Sequence, residues 1–450
     1  MIEKIPESEL ADRADGEVVL RGATVPFSFF TPYRDPDGRI SVFNGLTGRS
    51  HRLDEKDSFL TSLCDGSRDF DEIVSVFSKA VDVSLDEARE TALGHLASME
   101  GSGQLVWRSS KVKKVKAPTP DYLILELTNR CNLNCIHCSV SANERAGTEL
   151  STDEWKRVLR EISEMGVRAV GLSGGEPLLR DDFFEQAAYA TDLGLLVGLV
   201  TNGLLIDEEN IVEIKRLNLD VQVSLDGSKP YYHDKIRDNE GSFERLQDKL
   251  GLLTENGVGF TIAAVATAVN YTDIPRLLEF AEDVGARSFR VQPFFPVGRG
   301  SLHREELDLT PSMTKEITRF FVEEAGNHKI ETGGFYFQFA LDPDFRPSDQ
   351  TCEDGSCSAG YSFAGITHHG YVYPCSHIWQ LAEDNVRVKP ISWIWENSRL
   401  FNFFRSLRRE DTSELCQGCI YFSKCKGGCK AMNILDGRFS EPDSHCWLVN

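Results

Sequence analysis

Two things are scarce in this sequence of 450 residues: positive charge and long apolar runs. Lys and Arg number 49 against 70 Asp and Glu, for a formal net charge of −21. A general binder of nucleic acid or of anionic membranes needs a positive surface, so both classes are excluded. A specific basic groove on an acidic protein is not. No run reaches the roughly 20 apolar residues of a membrane span. The N-terminus, MIEKIPESELADRADGEVVL, is acidic and has no apolar core, so it does not read as a signal peptide. The expectation is a cytoplasmic protein with no membrane or nucleic-acid partner. An apolar fraction of 41% and a charged fraction of 26% are those of a soluble globular chain, long enough for two or three domains.

Cysteine is plentiful and unevenly placed. Of 12 residues, Cys64 stands alone, three crowd into CNLNCIHC at 131–138, and eight fall between 352 and 446. In a reducing compartment thiols remain free as ligands, so this clustering reads as metal chemistry rather than a disulfide framework.

The organisation is tripartite. Residues 111–120, KVKKVKAPTP, have neither helical nor strand period and form a linker. Before them, RISVFNGLTGRSHRL carries a turn signal between two strand-like runs. Phe70, Ile73 and Val74, then Leu93, Leu96 and Met99, are spaced for buried helix faces, and GQLVW closes a small α+β domain over 1–110. From 121 to about 295, strands YLILEL, RAVGLS, LLVGLVT, DVQVSL, GFTIAAVAT and SFRVQP alternate with amphipathic helices. The first helix has a Ser151/Glu154 capping box and a Leu150/Trp155 staple, with Trp155, Val158, Leu159, Ile162 and Met165 on its buried face. Six βα units give a parallel sheet, either open and doubly wound or partly closed into a barrel. In both, the reactive end is the C-terminal edge of the strands. The last part, 345–450, is rich in Cys, Gly and aromatics with little periodicity, and is expected to be held by its ligands more than by a core.

Cys131, Cys135 and Cys138 follow the first strand directly. Structural zinc and ordinary iron–sulfur cubes both want four protein ligands. Three thiolates on a cube leave one iron open to a small molecule; the alternative is a zinc site completed by His137.

Here the sequence resembles the radical S-adenosylmethionine (SAM) enzymes, whose hallmark Cys-x3-Cys-x2-Cys after the first barrel strand matches Cys131, Cys135 and Cys138. The resemblance implies a partial (β/α)6 barrel and a cluster whose open iron is chelated by SAM. It also implies reductive cleavage to a 5′-deoxyadenosyl radical that abstracts a substrate hydrogen. GGEP (174–177) after strand two, TNG (201–203) after strand three and SLDG (224–227) after strand four fall where the family would need them. Gly174 and Gly175 would admit close backbone approach, and Glu176 would accept from the SAM ammonium. Ser224 and Asp226 would meet the ribose hydroxyls, and Arg237 the SAM carboxylate.

The C-terminal cysteines resemble the SPASM extension of peptide-modifying members, which carries two auxiliary [4Fe–4S] clusters. Carried across, Cys352, Cys357, Cys375 and Cys429 would hold auxiliary cluster I, and Cys416, Cys419, Cys425 and Cys446 auxiliary cluster II. That implies three [4Fe–4S] clusters in all and leaves Cys64 as a buried free thiol; two structural zincs are the alternative for the eight. Two departures stand out. Ser376 follows Cys375 where sulfatase-maturing members place an Asp base, which argues against that activity. Cys352 lies one residue closer to Cys357 than expected, so auxiliary cluster I either uses it or has an open iron for a substrate thiolate.

The first 110 residues resemble the PqqD-like precursor-recognition element, a small winged-helix-like fold, through the N-x-x-T-G turn at Asn44–Gly48, CDG at 64–66 and DEI at 71–73. In that family a leader peptide adds as a strand to a sheet edge. The whole architecture implies a maturase of ribosomally made peptides, with Cys-to-carbon thioether formation as the expected product. The alternatives are carbon–carbon linkage, decarboxylation, epimerisation, a radical SAM oxidase or decarboxylase of tetrapyrrole or quinone biosynthesis, or a zinc-stabilised scaffold. Flavodoxin or ferredoxin is the implied reductant. No base is singled out, though His233, His368, His369 and His377 are candidates.

Overall fold

The computed structural model describes residues 25–34, 40–44, 49–144, 147–333, 337–342 and 358–449. The calls on Thr47, Gly48, Cys352 and Cys357 lie outside the described residues.

All six expected strands form, as β1 (Tyr122–Thr128), β2 (Ala169–Gly174), β3 (Leu196–Thr201), β4 (Asp220–Ser224), β5 (Phe260–Ala266) and β6 (Ser288–Pro293). They pair in parallel in sequence order. A short parallel strand, β7 (Glu331–Gly333), extends the β6 edge. The other edge holds a difference from expectation. β8 (Phe363–Ile366) pairs in parallel with β1, and β9 (Val372–Tyr373) in antiparallel with β8. The C-terminal region therefore completes the sheet, nine-stranded among the described residues, rather than resting on ligands alone.

Alternation sorts the strand residues into two faces. Leu172, Leu199, Val221, Val223, Ile262, Phe289 and Val291 are buried in one core with the helices outside the sheet. Their alternates, among them Glu126, Gln222, Ser224, Arg290 and Gln292, line an interior cavity of about 570 Å³. The expected capping box is present: Glu154 N–H donates to Ser151 Oγ at 3.3 Å and Ser151 N–H to Glu154 Oε2 at 2.8 Å. Trp155, Val158, Leu159 and Ile162 are fully buried beneath the helix Thr152–Glu164.

The N-terminal part holds an antiparallel sheet of Tyr33–Arg34, Ile40–Asn44 and Arg49–Arg52, then helices Glu55–Leu63, Phe70–Val81 and Leu85–Gly101. Ile73, Val74, Phe77, Leu96 and Met99 share one core with Cys64. The Cys64 thiol is fully buried, donates to the Leu60 carbonyl at 3.3 Å and is pushed up to about 12 by that burial, so it is the inert thiol expected. Strand Leu105–Arg108 forms as expected and pairs with Val25–Ser28.

This N-terminal part is fastened to the C-terminal region. Phe27, Phe29, Phe30 and Val42 share a core with Leu400, Phe403, Phe404 and Phe439. Arg399 donates to the Ser28 carbonyl at 2.8 Å and lies over the Phe27 ring. Residues 111–120 carry no helix or strand; Val115 N–H donates to Asn402 Oδ1 at 3.0 Å. Among the described residues no helix is long and apolar enough to cross a membrane.

Candidate active site at the cysteine loop

The loop after β1 brings Cys131, Cys135 and Cys138 to one end of the cavity. Each sulfur receives one N–H donor. Leu133 N–H points at Cys131 Sγ (3.4 Å), Ala142 N–H at Cys138 Sγ (3.4 Å), and the Arg237 guanidinium at Cys135 Sγ (3.8 Å). Burial pushes the Cys131 thiol up to about 12, with the other two cysteines adding to the rise. Burial also raises Cys135, against the lowering pull of Arg237. Three clustered sulfurs in so little water hold negative charge only opposite a strong cation. N–H donors aimed at each sulfur are the surroundings that suit iron–sulfur ligation. The donor set fits such a cluster, with one position left to a non-protein ligand.

Several devices shape the loop. Asn143 takes φ +70 and grips the Cys131 backbone from both sides, accepting from its N–H at 2.8 Å and donating to its carbonyl at 3.0 Å. Arg299, 5% exposed, donates to the Cys135 carbonyl (3.0 Å) and the Ala142 carbonyl (2.5 Å) while pairing with Glu144. Gly298 (φ +62) lies so close that a Cβ would come within 2.5 Å of the Ser139 carbonyl oxygen and 2.7 Å of that of Cys138. Trp379 Nε1–H donates to the Ser139 carbonyl at 2.8 Å from the C-terminal side. Sequence reasoning missed Arg299 and Gly298; the glycines of PVGRG (296–300) were the available signal.

The GGEP motif is set against the loop's root. Gly175 N–H donates to the Thr128 carbonyl (2.7 Å) and Glu176 N–H to that of Arg130 (2.8 Å). A Cβ on Gly174 or Gly175 would fall within 2.4 Å of backbone oxygen. Gly174, Gly175 and Ser224 line the cavity. Glu176 does not; its buried carboxylate accepts from Thr201 Oγ1 (2.8 Å), Asn202 N–H (2.9 Å) and Leu178 N–H (3.2 Å). Burial nonetheless raises it to about 7. It ties the GGEP and TNG loops together.

Asp226 and Arg237 are also turned toward each other. Arg237 Nη2 lies 2.7 Å from Asp226 Oδ2, while Asp226 Oδ1 accepts from Val265 N–H at 2.8 Å. Arg237 thus bridges Asp226 to Cys135 at the cavity wall. His137 lies 3.4 Å from Asp226, and burial lowers it to about 4.

Of the candidate bases, His233 accepts from Asp226 N–H at 3.2 Å and lies off the cavity. His369 contacts the Thr148 carbonyl at the surface, and His368 is fully buried 4.0 Å from Glu126. His377 alone of the four lines the cavity; it stacks on Phe295 at 3.5 Å, and burial lowers it to about 4, so it is neutral near pH 7. Tyr373 reaches in past Gly365 to donate to Glu126 at 2.8 Å.

In the C-terminal region, Cys446 acts electrostatically on Cys425, and Cys416 on Cys446, each raising its neighbour. Cys425 is pushed up to about 12 by burial, opposed by N–H donors from Gly427 and Gly428. Cys419 closes the same turn, its N–H donating to the Cys416 carbonyl at 3.1 Å. Cys375 and Cys429 both pack on the aromatic core shared with the N-terminal part.

Residues 125–281 match the radical SAM superfamily, and residues 357–420 the SPASM iron–sulfur cluster-binding domain. The chain is 31% identical to the AdoMet-dependent heme synthase of Methanosarcina barkeri over 73% of its own length and 96% of that protein's. The chain belongs to the radical SAM superfamily. This radical SAM enzyme is also 32% identical to the mycofactocin maturase MftC of Mycolicibacterium smegmatis, over 73% of its length and 82% of the maturase. Its fold resembles Streptococcus suis SuiB bound to precursor peptide SuiA, with a TM-score of 0.63 and 18% identity over 94% of this chain and 100% of that one.

Proposed function

We propose that this radical SAM enzyme modifies a ribosomally synthesised precursor peptide, with a Cys-to-carbon thioether as the product. One observation carries the reading. A single cavity is walled at one end by the Cys131–Cys138 loop and at its side by Tyr373, Ser376 and His377, next to Cys375. A cavity of about 570 Å³ is of small-molecule size, so with SAM seated in it only a short segment of a peptide would fit beside it. A larger substrate must therefore be held elsewhere while a short segment enters, and the N-terminal sheet offers a place. Its edge strand Arg49–Arg52 is paired on one side only among the described residues.

The proposed parts are a leader-binding element at 1–110, a linker at 111–120, the radical core at 121–344 and an auxiliary-cluster region at 345–450. Cys131, Cys135 and Cys138 would hold the SAM-binding cluster. Cys416, Cys419, Cys425 and Cys446 would hold one auxiliary cluster, and Cys375 and Cys429, with Cys352 and Cys357, the other. When bound, the first cluster and SAM supply a radical that takes a hydrogen from a substrate carbon. Gly174, Gly175 and Ser224 would border the SAM, Arg237 would steady the Cys135 sulfur, and Asp226 and Glu176 would brace the loops around it. Flavodoxin or ferredoxin is the proposed electron donor.

The likeness to MftC supports a peptide substrate, and the likeness to heme synthase favours a second reading, a small-molecule oxidative decarboxylase. Coexpression with the peptide encoded beside the gene, followed by mass spectrometry, separates them. A loss of two hydrogens from that peptide supports the first reading, whereas loss of a carboxyl group keeps the peptide substrate and overturns the thioether. An unaltered peptide that does not bind the N-terminal part overturns it.

A further inference from the structure

Among the described residues, the interior of the sheet holds one cation without an assigned task. On β6, Ser288, Phe289, Val291 and Pro293 are buried, while Arg290 and Gln292 line the cavity with exposed side chains. The other guanidinium on the cavity wall, Arg237, is committed to Asp226 at 2.7 Å. Arg290 has no hydrogen-bond or ion-pair partner among the described residues. The cavity's carboxylate, Glu126, lies across the sheet on β1 and accepts from Tyr373.

Room has been made around Arg290. Its register neighbours are Ala263 on β5 and Gly333 on β7, both small. A Cβ at Gly333 would come within 2.9 Å of Arg290 Cγ, so the glycine clears space for the side chain to leave its strand. Gln292 and Gln222 add amide groups to the cavity wall. Arg290 stays open to the solvent of the cavity, so its guanidinium is free to take a ligand, and it matches a carboxylate in a two-pronged geometry. A chain of net charge −21 has no general appetite for anions, so an unpaired cation inside the barrel marks a local preference.

We propose that Arg290 anchors a carboxylate of the substrate, so that the segment entering the cavity carries either an Asp or Glu side chain or a free C-terminus. The proposal deepens the peptide-modifying reading and rests on it for the identity of the substrate, but its chemistry can be read without that reaction.

Phenylglyoxal modifies unpaired arginines, and peptide mass spectrometry reads the extent at Arg290 in the wild-type holoenzyme. The probes are N-acetyl-aspartate N-methylamide and its Glu counterpart for a side-chain carboxylate, and N-acetyl-alanine for a terminal one. N-acetyl-asparagine N-methylamide is the neutral control. A carboxylate probe should slow modification of Arg290 about threefold or more while the amide leaves it unchanged, and the protecting probe identifies the source. Equal modification in all four overturns the proposal and leaves the peptide reading standing. In coexpression with the neighbouring peptide, Arg290→Gln should cut the modified fraction by about tenfold or more, with Arg290→Lys in between. Iron content and thermal midpoint verify the fold. Full modification by Arg290→Gln also overturns the proposal, whereas a peptide untouched by the wild type removes the reading on which its substrate rests.

Discussion

Arg108 and Asp411 form a fully buried ion pair, Nη2 to Oδ2 at 2.9 Å, that joins the last strand of the N-terminal part to the C-terminal region. Arg108 also donates to Ser406 Oγ (2.8 Å) and to its carbonyl (2.5 Å), and lies over the Phe403 ring. The second Asp411 oxygen accepts from Ser109 N–H at 3.1 Å. Removing one partner strands the other in an apolar surround. Asp411→Ala should cost about 3–5 kcal/mol in chemical denaturation. Limited proteolysis should then release the N-terminal part ahead of the core.

The same pair gives a pH dependence with a definite sign. Burial would raise the Asp411 carboxyl, but the Arg108 charge and the hydrogen bonds outweigh it and hold the group below its usual range. Its stabilisation is therefore complete above the unfolded value, about 3.9, and is lost as pH falls through the lower folded value. Denaturant midpoints measured from pH 6 downward should fall more steeply in the wild type than in Asp411→Asn.

The cysteine loop depends on the segment that clamps it. Gly298→Val places a branched side chain where a Cβ already meets two carbonyl oxygens, at a positive φ. Arg299→Ala leaves the buried Ala142 carbonyl without its donor and the Cys135 carbonyl with the Cys138 N–H alone, costing about 1–3 kcal/mol for the unsatisfied group. Both variants should lose about a third of their iron if the SPASM clusters remain. Iron analysis with Mössbauer spectroscopy checks this.

Leader binding by strand addition has a single-residue test. In the Ile40–Asn44/Arg49–Arg52 ladder, Leu53 N–H donates to the Ile40 carbonyl and Val42 stands opposite His51. By antiparallel alternation the N–H of Arg52 points away from the sheet. Arg52→Pro removes that outward donor while sparing the internal ladder. Affinity for a synthetic leader of the neighbouring peptide, read by fluorescence anisotropy, should drop about tenfold with little change in melting temperature.

Local signals were legible wherever neighbours in sequence are neighbours in space. The βα alternation gave β1 to β6, and Ser151 with Glu154 marked a helix start that the structure reproduces bond for bond. Nonlocal pairings were not. β8 is four residues long and finds β1 more than 200 positions away, so no local period announced it. Arg108 and Asp411 are separated by 303 residues. At the site, motif spacing placed the three thiols and the glycines on the cavity. It could not give side-chain direction. Glu176 turns into the protein because Thr201 and Asn202 offer donors there, and Asp226 turns to Arg237, which a sequence presents only as two separate charges. Arg290 carries no motif, and only the alternation of β6 within an assembled sheet puts it inside.

The central claim is that three thiols at the mouth of the sheet hold a cluster with one position for SAM. Electron paramagnetic resonance of the anaerobic, dithionite-reduced protein tests it most directly, with and without SAM, in the wild type and in Cys135→Ala. The account predicts a reduced-cluster signal that shifts on adding SAM in the wild type and is missing from the variant, whose auxiliary signals persist. A wild-type spectrum that SAM leaves unchanged, or a variant spectrum identical to it, would contradict the account.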